Sequence, residues 1–471
     1  MKGADRKAST LRSPPDATRL AVILAAGIGS RLTEAPDGPP KPLVPVLGMP
    51  VLERAVRACW ETGIDRVVVV VGHRDNEVRV WIDEFARRGD KRPEFVVAEN
   101  WDLGNGASAL AARSVVGDSR FLLVMCDHLA SVPLLSRVLE CDPPEGGICM
   151  AVDWDQQALF DEEDATKVRL HDGHVVGVGK TLVEWDAIDA GVFHCTPALF
   201  AALRESSDVA EHSLSTAIDH LASANLVVAV DITGDFWFDV DTEAGRREAE
   251  RLLRRSLGKV ADDGYVAANL NRPISTRLTA RLAGTAIRPN HVTIAAFLLA
   301  LAAAGLFATG AYGLAVLGAL LLQGSSILDG VDGELARLKH LSTPGGAWLD
   351  TIMDRYADVA VAVAVTVAAA QATDGSDTLV WIGGVASATG FILASYVTKE
   401  FELRHKRPYP NDILAKLKKR DLRLFTISVG ALLGSPYLAA VGVGVLSHLC
   451  ILGILARGWK EGKQTSSRSR L

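Results

Sequence analysis

The run DGVDGELARLKHLSTPGGAWLDTIMD places Asp329, Asp332, Asp350 and Asp354 at the edge of some of the most apolar sequence in the chain. An acid in hydrocarbon costs about 3 kcal/mol or more unless it faces a bundle interior and finds a partner, so acids in such a setting are functional candidates. Asp329 and Asp332 are three residues apart and Asp350 and Asp354 four apart, spacings that put each pair on one face of a helix. Two facing helices would gather four carboxylates into one hard oxygen site. Such a set repels itself without cations, and Mg2+ or Mn2+ held by carboxylates while also holding substrate phosphates resolves the repulsion. Two ions could stabilise both the attacking and the leaving oxygen at phosphorus. Gly333 and Gly346 leave room for close approach, and Arg337 offers a planar fork for phosphate.

A second group lies near the amino terminus, in LAAGIGSRLTEAPDGPPKP. A glycine-rich turn after a strand, here with Ala26, Gly27 and Gly29, exposes backbone N–H groups to phosphate. Arg31 and Lys41 supply charge for a triphosphate. Asp127, in VMCDH, stands at the end of an apolar strand, where a carboxylate can hold Mg2+ against the incoming triphosphate. FWFDVDT supplies two further carboxylates, Asp239 and Asp241. The loop around Gly104, Asn105 and Gly106 suits a sugar or base, while Lys180 offers a charge for an acceptor phosphate and Asp189 a partner for a hydroxyl. His128, His171 and His174 show no metal-ligand arrangement and receive no role.

The elements that must position these residues divide the chain. At roughly 150 residues per domain, 471 residues suggest two or three domains. From Arg19 to about Glu250 short runs such as RLAVILAAG, DRVVVVVGH and RFLLVMCDH alternate with amphipathic stretches such as PVLERAVRACWETG. That alternation predicts an α/β Rossmann-like domain, 19–258, with a mainly parallel sheet covered by helices. Residues 1–18 read as a disordered polar tail rather than a targeting peptide, and 259–290 as a linker with a juxtamembrane amphipathic segment. A membrane domain, 291–460, and a basic tail, 461–471, follow.

Within that membrane domain, apolar stretches at 292–309, 312–328, 347–372, 379–398, 423–434 and 436–456 predict an all-α six-helix transmembrane bundle. The segments before the first stretch, between the second and third, between the fourth and fifth, and after the sixth are basic; the alternate loops ATGAYG, QATDGSDT and GSP contain no Lys or Arg. By the positive-inside rule both ends of the bundle, with the soluble domain, lie in the cytoplasm of a multi-pass cell-membrane protein. A net charge of −6 with 23% charged residues argues against a nucleic-acid partner, whereas the mean hydropathy of +0.19 points to membrane lipid. Six cysteines without metal-ligand spacing predict reduced, structural thiols.

The acidic run resembles, position for position, the CDP-alcohol phosphotransferase signature D-x2-D-G-x2-A-R-x8-G-x3-D-x3-D, through Asp329, Asp332, Gly333, Ala336, Arg337, Gly346, Asp350 and Asp354. The resemblance implies a six-helix membrane fold that transfers a phosphoalcohol from a CDP-alcohol to a hydroxyl and releases CMP. It implies Asp329, Asp332 and Asp350 as metal ligands, Asp354 as ligand or base, Gly333 and Arg337 against CDP, and a homodimer as the default assembly. The amino-terminal motif resembles the sugar-nucleotidyltransferase signature L-A-A-G-x-G-x-R-L followed by K-P, which makes Asp239 the second metal ligand beside Asp127, with Asp241 retained as an alternative. Together the halves are similar to the bifunctional inositol-1-phosphate cytidylyltransferase and di-myo-inositol-phosphate phosphate synthase family. That family uses CTP, inositol 1-phosphate and CDP-inositol. A hydrophobic acceptor such as diacylglycerol, giving a phospholipid head group, is the alternative for the second step.

Overall fold

The computed structural model of the chain describes residues 18–468 apart from 30, 33–37, 156–160, 162–163, 206–212, 258–262 and 374. The expected tail therefore lies, except for Thr18, outside the described residues. Two compact units comprise Met1–Arg251 and Leu252–Leu471.

The first unit is built on a nine-stranded sheet. Its strands are β1 (Leu20–Ala25), β2 (Arg66–Val71), β3 (Glu94–Val97), β4 (Phe121–Met125), β5 (Ile148–Asp153), β6 (Lys167–His171), β7 (His174–Gly179), β8 (Ala187–Cys195) and β9 (Val227–Asp231). They are ordered β3-β2-β1-β4-β8-β5-β9-β7-β6. β1 (LAVILA) is buried throughout and β2 (RVVVVV) after its first residue, as expected of central strands covered on both faces. The ladders β3-β2-β1-β4 are parallel. The carboxyl ends of β1 and β4 are thus neighbours, and the glycine turn after β1 opens beside Asp127 after β4.

The sheet is mixed rather than mainly parallel, because β8 runs antiparallel to both β4 and β5, and β6 and β7 form a hairpin. Asp172 and Gly173, at the hairpin tip, both have positive φ (48° and 80°), the backbone a two-residue primed turn requires. The cysteine expectation also needs correction. Cys141 and Cys149 form a disulfide across the short loop into β5, with Cα atoms 6.4 Å apart, while Cys59, Cys126, Cys195 and Cys450 are buried free thiols.

The second unit is helical: α1 (Arg272–Leu282), α2 (Pro289–Ala308), α3 (Tyr312–Leu338), α4 (Pro344–Ala372), α5 (Thr378–His405), α6 (Arg420–Leu432) and α7 (Pro436–Arg468), with a short helix, Ile413–Leu417, before α6. Proline in the first turn starts α2 and α4, where its missing N–H costs nothing, and Thr343 caps α4 by accepting from the Gly346 amide. Each of the six apolar stretches falls wholly or mostly in one of α2–α7. Among the described residues, four helices are long and apolar enough to cross a membrane: α2, α3, α5 and Pro436–Trp459 of α7. α4 carries Asp350, Asp354, Arg355 and Asp358 in its first half, and α6 has only 13 residues. Ala300, Ala303, Ala304, Ala319 and Ala357 are in the core, small residues that let these helices approach closely. The segment expected as a basic tail from 461 continues α7 as far as Arg468.

Candidate active sites

In the soluble unit a pocket of about 330 Å3 lies between the glycine turn and the carboxyl ends of β1 and β4; Gly27, Gly29, Lys41, Asn105 and Asp127 are among its lining residues. Gly29 has φ 65°, and a Cβ there would collide with the Lys41 side chain, so glycine lets the turn close over that lysine. Lys41 Nζ donates to Asp127 Oδ2 at 2.5 Å and also pairs with Asp241. Burial lowers the lysine's proton affinity, but the two carboxylates outweigh it and hold Lys41 above its usual range. Arg31 reaches Asp241 and Asp164, each at 2.7 Å. Lys180 pairs with the same Asp164 at 2.5 Å. Despite partial burial, bonds from Lys180 and Arg31 hold the Asp164 carboxyl well below the carboxylate range.

Asp239 arrives through a short strand, Trp237–Asp239, antiparallel to His128–Ala130, which sets Asp239 opposite His128 in register. Asp127, His128 and Asp239 each offer a ligand atom within 4.8 Å of the others, as do Asp164, Asp239 and Asp241. Burial, and then the neighbouring acids, push the Asp239 carboxyl up to about 7. Asp127 is instead lowered, because Lys41 overrides its burial. Oδ1 of Asp127 and Oδ1 of Asp239 are buried and accept no hydrogen bond among the described residues. Two acids that each keep an orphaned oxygen and offer ligand atoms within 4.8 Å of one another are what a divalent cation satisfies, so the residues fit Mg2+ or Mn2+.

The sequence expectations for this half land unevenly. Ala26, Gly27, Gly29, Lys41 and Asp127 share the pocket, and Asp241 holds both Lys41 and Arg31. Asn105 lines the pocket as well, but its Oδ1 accepts from the Leu214 amide at 2.8 Å, and Gly106 is buried in the helix Asn105–Ala111. Asp189 accepts from the Gly191 amide at 2.7 Å, and burial pushes it up to about 6. Sequence reasoning missed Asp164 and His128. No local signal marked Asp164; for His128 the signal was adjacency to a strand-end aspartate.

In the helical unit, Asp329, Asp350 and Asp354 offer oxygens within 4.8 Å of one another. Asp332 lines the same cavity, together with Thr293 and Arg420, yet its Oδ2 accepts from Thr293 Oγ1 at 2.6 Å, which leaves it outside that trio. Arg420, on α6, pairs with Asp329 at 2.9 Å, Asp354 at 2.7 Å and Asp358 at 3.0 Å. Asp358 is buried and also takes Arg423 at 3.0 Å. Asp329, Asp354 and Asp358 thus share the Arg420 guanidinium, with Arg355 and Arg423 also pairing among them, which the signature spacing did not reveal. The same hard oxygens fit Mg2+ or Mn2+ bound with a phosphorylated substrate. A Cβ on Gly333 would stand 3.4 Å from Arg337 Nη1, so glycine keeps the face beside that guanidinium open. Gly346 sits in the first turn of α4, under its Thr343 cap.

The MobA-like NTP transferase domain family matches residues 21–202, and the CDP-alcohol phosphatidyltransferase family matches residues 286–455. Fold, sites and these matches define a nucleotidyltransferase joined to a CDP-alcohol phosphotransferase with membrane helices. The chain is 38% identical to a bifunctional IPC transferase and DIPP synthase of Rubrobacter xylanophilus, over 91% of this chain and 94% of that protein. It is 31% identical to one of Aquifex aeolicus, over 94% and 98%. It is also similar to the solved inositol-1-phosphate CTP transferase of T. maritima, at 24% identity and a TM-score of 0.44, over 50% of this chain and 96% of that one. The chain belongs to the family of bifunctional IPC transferases and DIPP synthases.

Proposed function

We propose that the soluble half makes CDP-inositol and pyrophosphate from CTP and inositol 1-phosphate. The membrane half then transfers phosphoinositol from CDP-inositol to a second inositol 1-phosphate, giving di-myo-inositol phosphate phosphate and CMP. Similarity to bifunctional relatives across more than nine-tenths of the chain carries this reading, because it spans both sites at once.

In the first step the inositol phosphate, steered by Lys180, attacks the α-phosphorus of CTP. Ala26, Gly27 and Gly29 present the turn's backbone to the triphosphate, Asn105 and Gly106 flank the base, and Asp189 accepts from an inositol hydroxyl. Lys41 and Arg31, preorganised by Asp127, Asp164 and Asp241, neutralise the departing pyrophosphate. Asp127 and Asp239 would hold a divalent cation, which would supply further charge neutralisation when bound.

In the second step Gly333 and Arg337 receive the CDP diphosphate. Asp354 takes the proton of the acceptor hydroxyl as that oxygen attacks the β-phosphorus and CMP leaves. Asp329 and Asp350, with Asp332 lining the same cavity, would hold Mg2+, or Mn2+, and Arg420, paired with Asp329 and Asp354, fixes those two acids beforehand. In this proposal α2–α7 all cross the cell membrane, the basic loops and both active sites face the cytoplasm, lipid surrounds the bundle, and the chain is a homodimer.

The test gives detergent-purified protein CTP, Mg2+ and inositol 1-phosphate and follows the products by mass spectrometry. Pyrophosphate, then CMP and a water-soluble phosphorylated di-inositol phosphodiester, are expected. CDP-inositol without CMP would refute the second acceptor; absence of pyrophosphate would refute the first reaction.

A further inference from the structure

His128 is fixed by two contacts that leave one ring nitrogen committed to the acids. Its Nδ1 lies 2.8 Å from the Ala190 carbonyl oxygen. A carbonyl only accepts, so Nδ1 carries the proton, and in the neutral ring Nε2 holds a lone pair. That lone pair faces Asp127 Oδ1 at 3.9 Å and Asp239 Oδ2 at 3.7 Å. Both distances are too long for hydrogen bonds, and both are within what two bonds of about 2.1 Å to a shared ion can span.

The ring cannot readily turn away. Gly191 has φ 71°, and a Cβ there would lie 2.5 Å from Nδ1, so β8 closes directly on the imidazole; Trp237 stacks over it with ring centres 6.0 Å apart. On the other side of Asp127, Lys41 takes Oδ2, leaving Oδ1 buried and orphaned on the His128 side. His128 Nε2 and an oxygen of each carboxylate offer ligand atoms within 4.8 Å of one another, and Asp127 Oδ1 accepts no hydrogen bond among the described residues.

We propose that His128 Nε2 is a third protein ligand to the cation of the cytidylyl-transfer site, completing an Asp127–His128–Asp239 set that prefers borderline first-row cations to Mg2+. The inference rests on the cytidylyl-transfer reading of this half. A nitrogen ligand strengthens the preference for first-row cations such as Co2+ and Zn2+ over Mg2+, a preference that an all-carboxylate set shows only more weakly. The backbone carbonyl of Ala190 is then the outer partner that fixes the tautomer, as such partners do for ligating histidines.

The test loads tag-free full-length protein in detergent with Mn2+ and records pulsed electron paramagnetic resonance. The trio in the helical half is all oxygen, so a directly bound imidazole nitrogen reports on the soluble half. The expected result is one such nitrogen coupling, lost in His128→Gln, with Mn2+ affinity at that site reduced at least about tenfold. Asp127→Asn should remove the same signal. Bound Mn2+ without nitrogen coupling in the unmutated protein would overturn the assignment, whether or not any variant folds, as would a coupling that survives His128→Gln. In parallel, the Co2+-to-Mg2+ ratio of pyrophosphate release rates should fall about tenfold in His128→Gln; an unchanged ratio counts against the proposal. Nitrogen coupling without pyrophosphate release from CTP and inositol 1-phosphate would support the ligand assignment while refuting the substrate reading.

Discussion

Glu334 occupies a variable position of the acidic signature, one residue after Gly333, and it is completely buried. Its carboxylate accepts three hydrogen bonds of 2.6 Å, from Arg272 Nη1, Ser275 Oγ and Thr279 Oγ1, all from α1. Arg272 in turn holds Asp263 through two bonds of 2.8 Å. Helix α1 is thereby fastened to the signature helix α3 by one buried anion. Replacing Glu334 by Gln keeps the shape but removes the charge and turns an amide N–H2 toward a donor. Breaking a buried pair from one side costs about 3–5 kcal/mol, and each bond to a charged group contributes about 1.5–3 kcal/mol, so a loss of about 3 kcal/mol is expected for Glu334→Gln.

Arg272→Met should be costly too, because Asp263 and Glu334 both lose their cation. The double variant should cost less than the sum by at least about 1 kcal/mol, since the second change removes a group already stranded. Unfolding in mixed detergent micelles, followed by thiol reactivity of buried Cys450, measures all four corners of the cycle. CMP release from supplied CDP-inositol should fall with Glu334→Gln, because α1 no longer braces the turn that carries Gly333 and Arg337. Energies adding to within about 0.5 kcal/mol would refute the shared network, however large the single effects.

Three further outcomes separate the two halves. Lys41→Met removes the cation between Asp127 and Asp241 and should lower pyrophosphate formation at least about 100-fold, while CMP release from supplied CDP-inositol is unchanged. Asp350→Asn should do the reverse, abolishing CMP release and sparing pyrophosphate formation; product analysis of both variants checks the pair. The third concerns pH. Asp189 and Asp239 keep their protons in the fold up to about pH 6 and about pH 7, whereas an unfolded chain releases them near pH 4. Across that window the folded state binds more protons, so the metal-free soluble half loses stability as pH rises. Melting in a chelator should therefore occur at lower temperature at pH 8 than at pH 5, with a shallower dependence in Asp239→Asn; a rise with pH would refute the assignment.

Much of this protein is written in local sequence. The apolar stretches mark α2–α7 because a helix needs only its own side-chain run and start signals such as Pro289, Pro344 and Thr343. The signature spacing puts Asp329 near Asp350 and Asp354, and the glycine turn with Lys41 and Asp127 is legible because strand, turn and strand-end acid are each short-range patterns. The Asp-Gly tip between β6 and β7 is a local hairpin signal that the mainly parallel expectation passed over, and that hairpin is one of the antiparallel pairings in the mixed sheet.

Other features depend on packing between distant segments. Arg420 meets Asp329 across 91 positions and Asp358 across 62, and in the sequence it is one of several cations in a basic loop. Lys41 meets Asp241 across 200 positions, Arg31 and Lys180 converge on Asp164, and Asp332 turns to Thr293 instead of joining the acidic trio. His128 gains a role only because Ala190 fixes one of its nitrogens while Asp127 and Asp239 face the other. Spacing along one helix or strand sets which face a side chain occupies, and sequence alone determines that. Which partner neutralises a buried charge is decided when separate elements pack, because a charge taken out of water must be matched by whatever group the fold brings within reach.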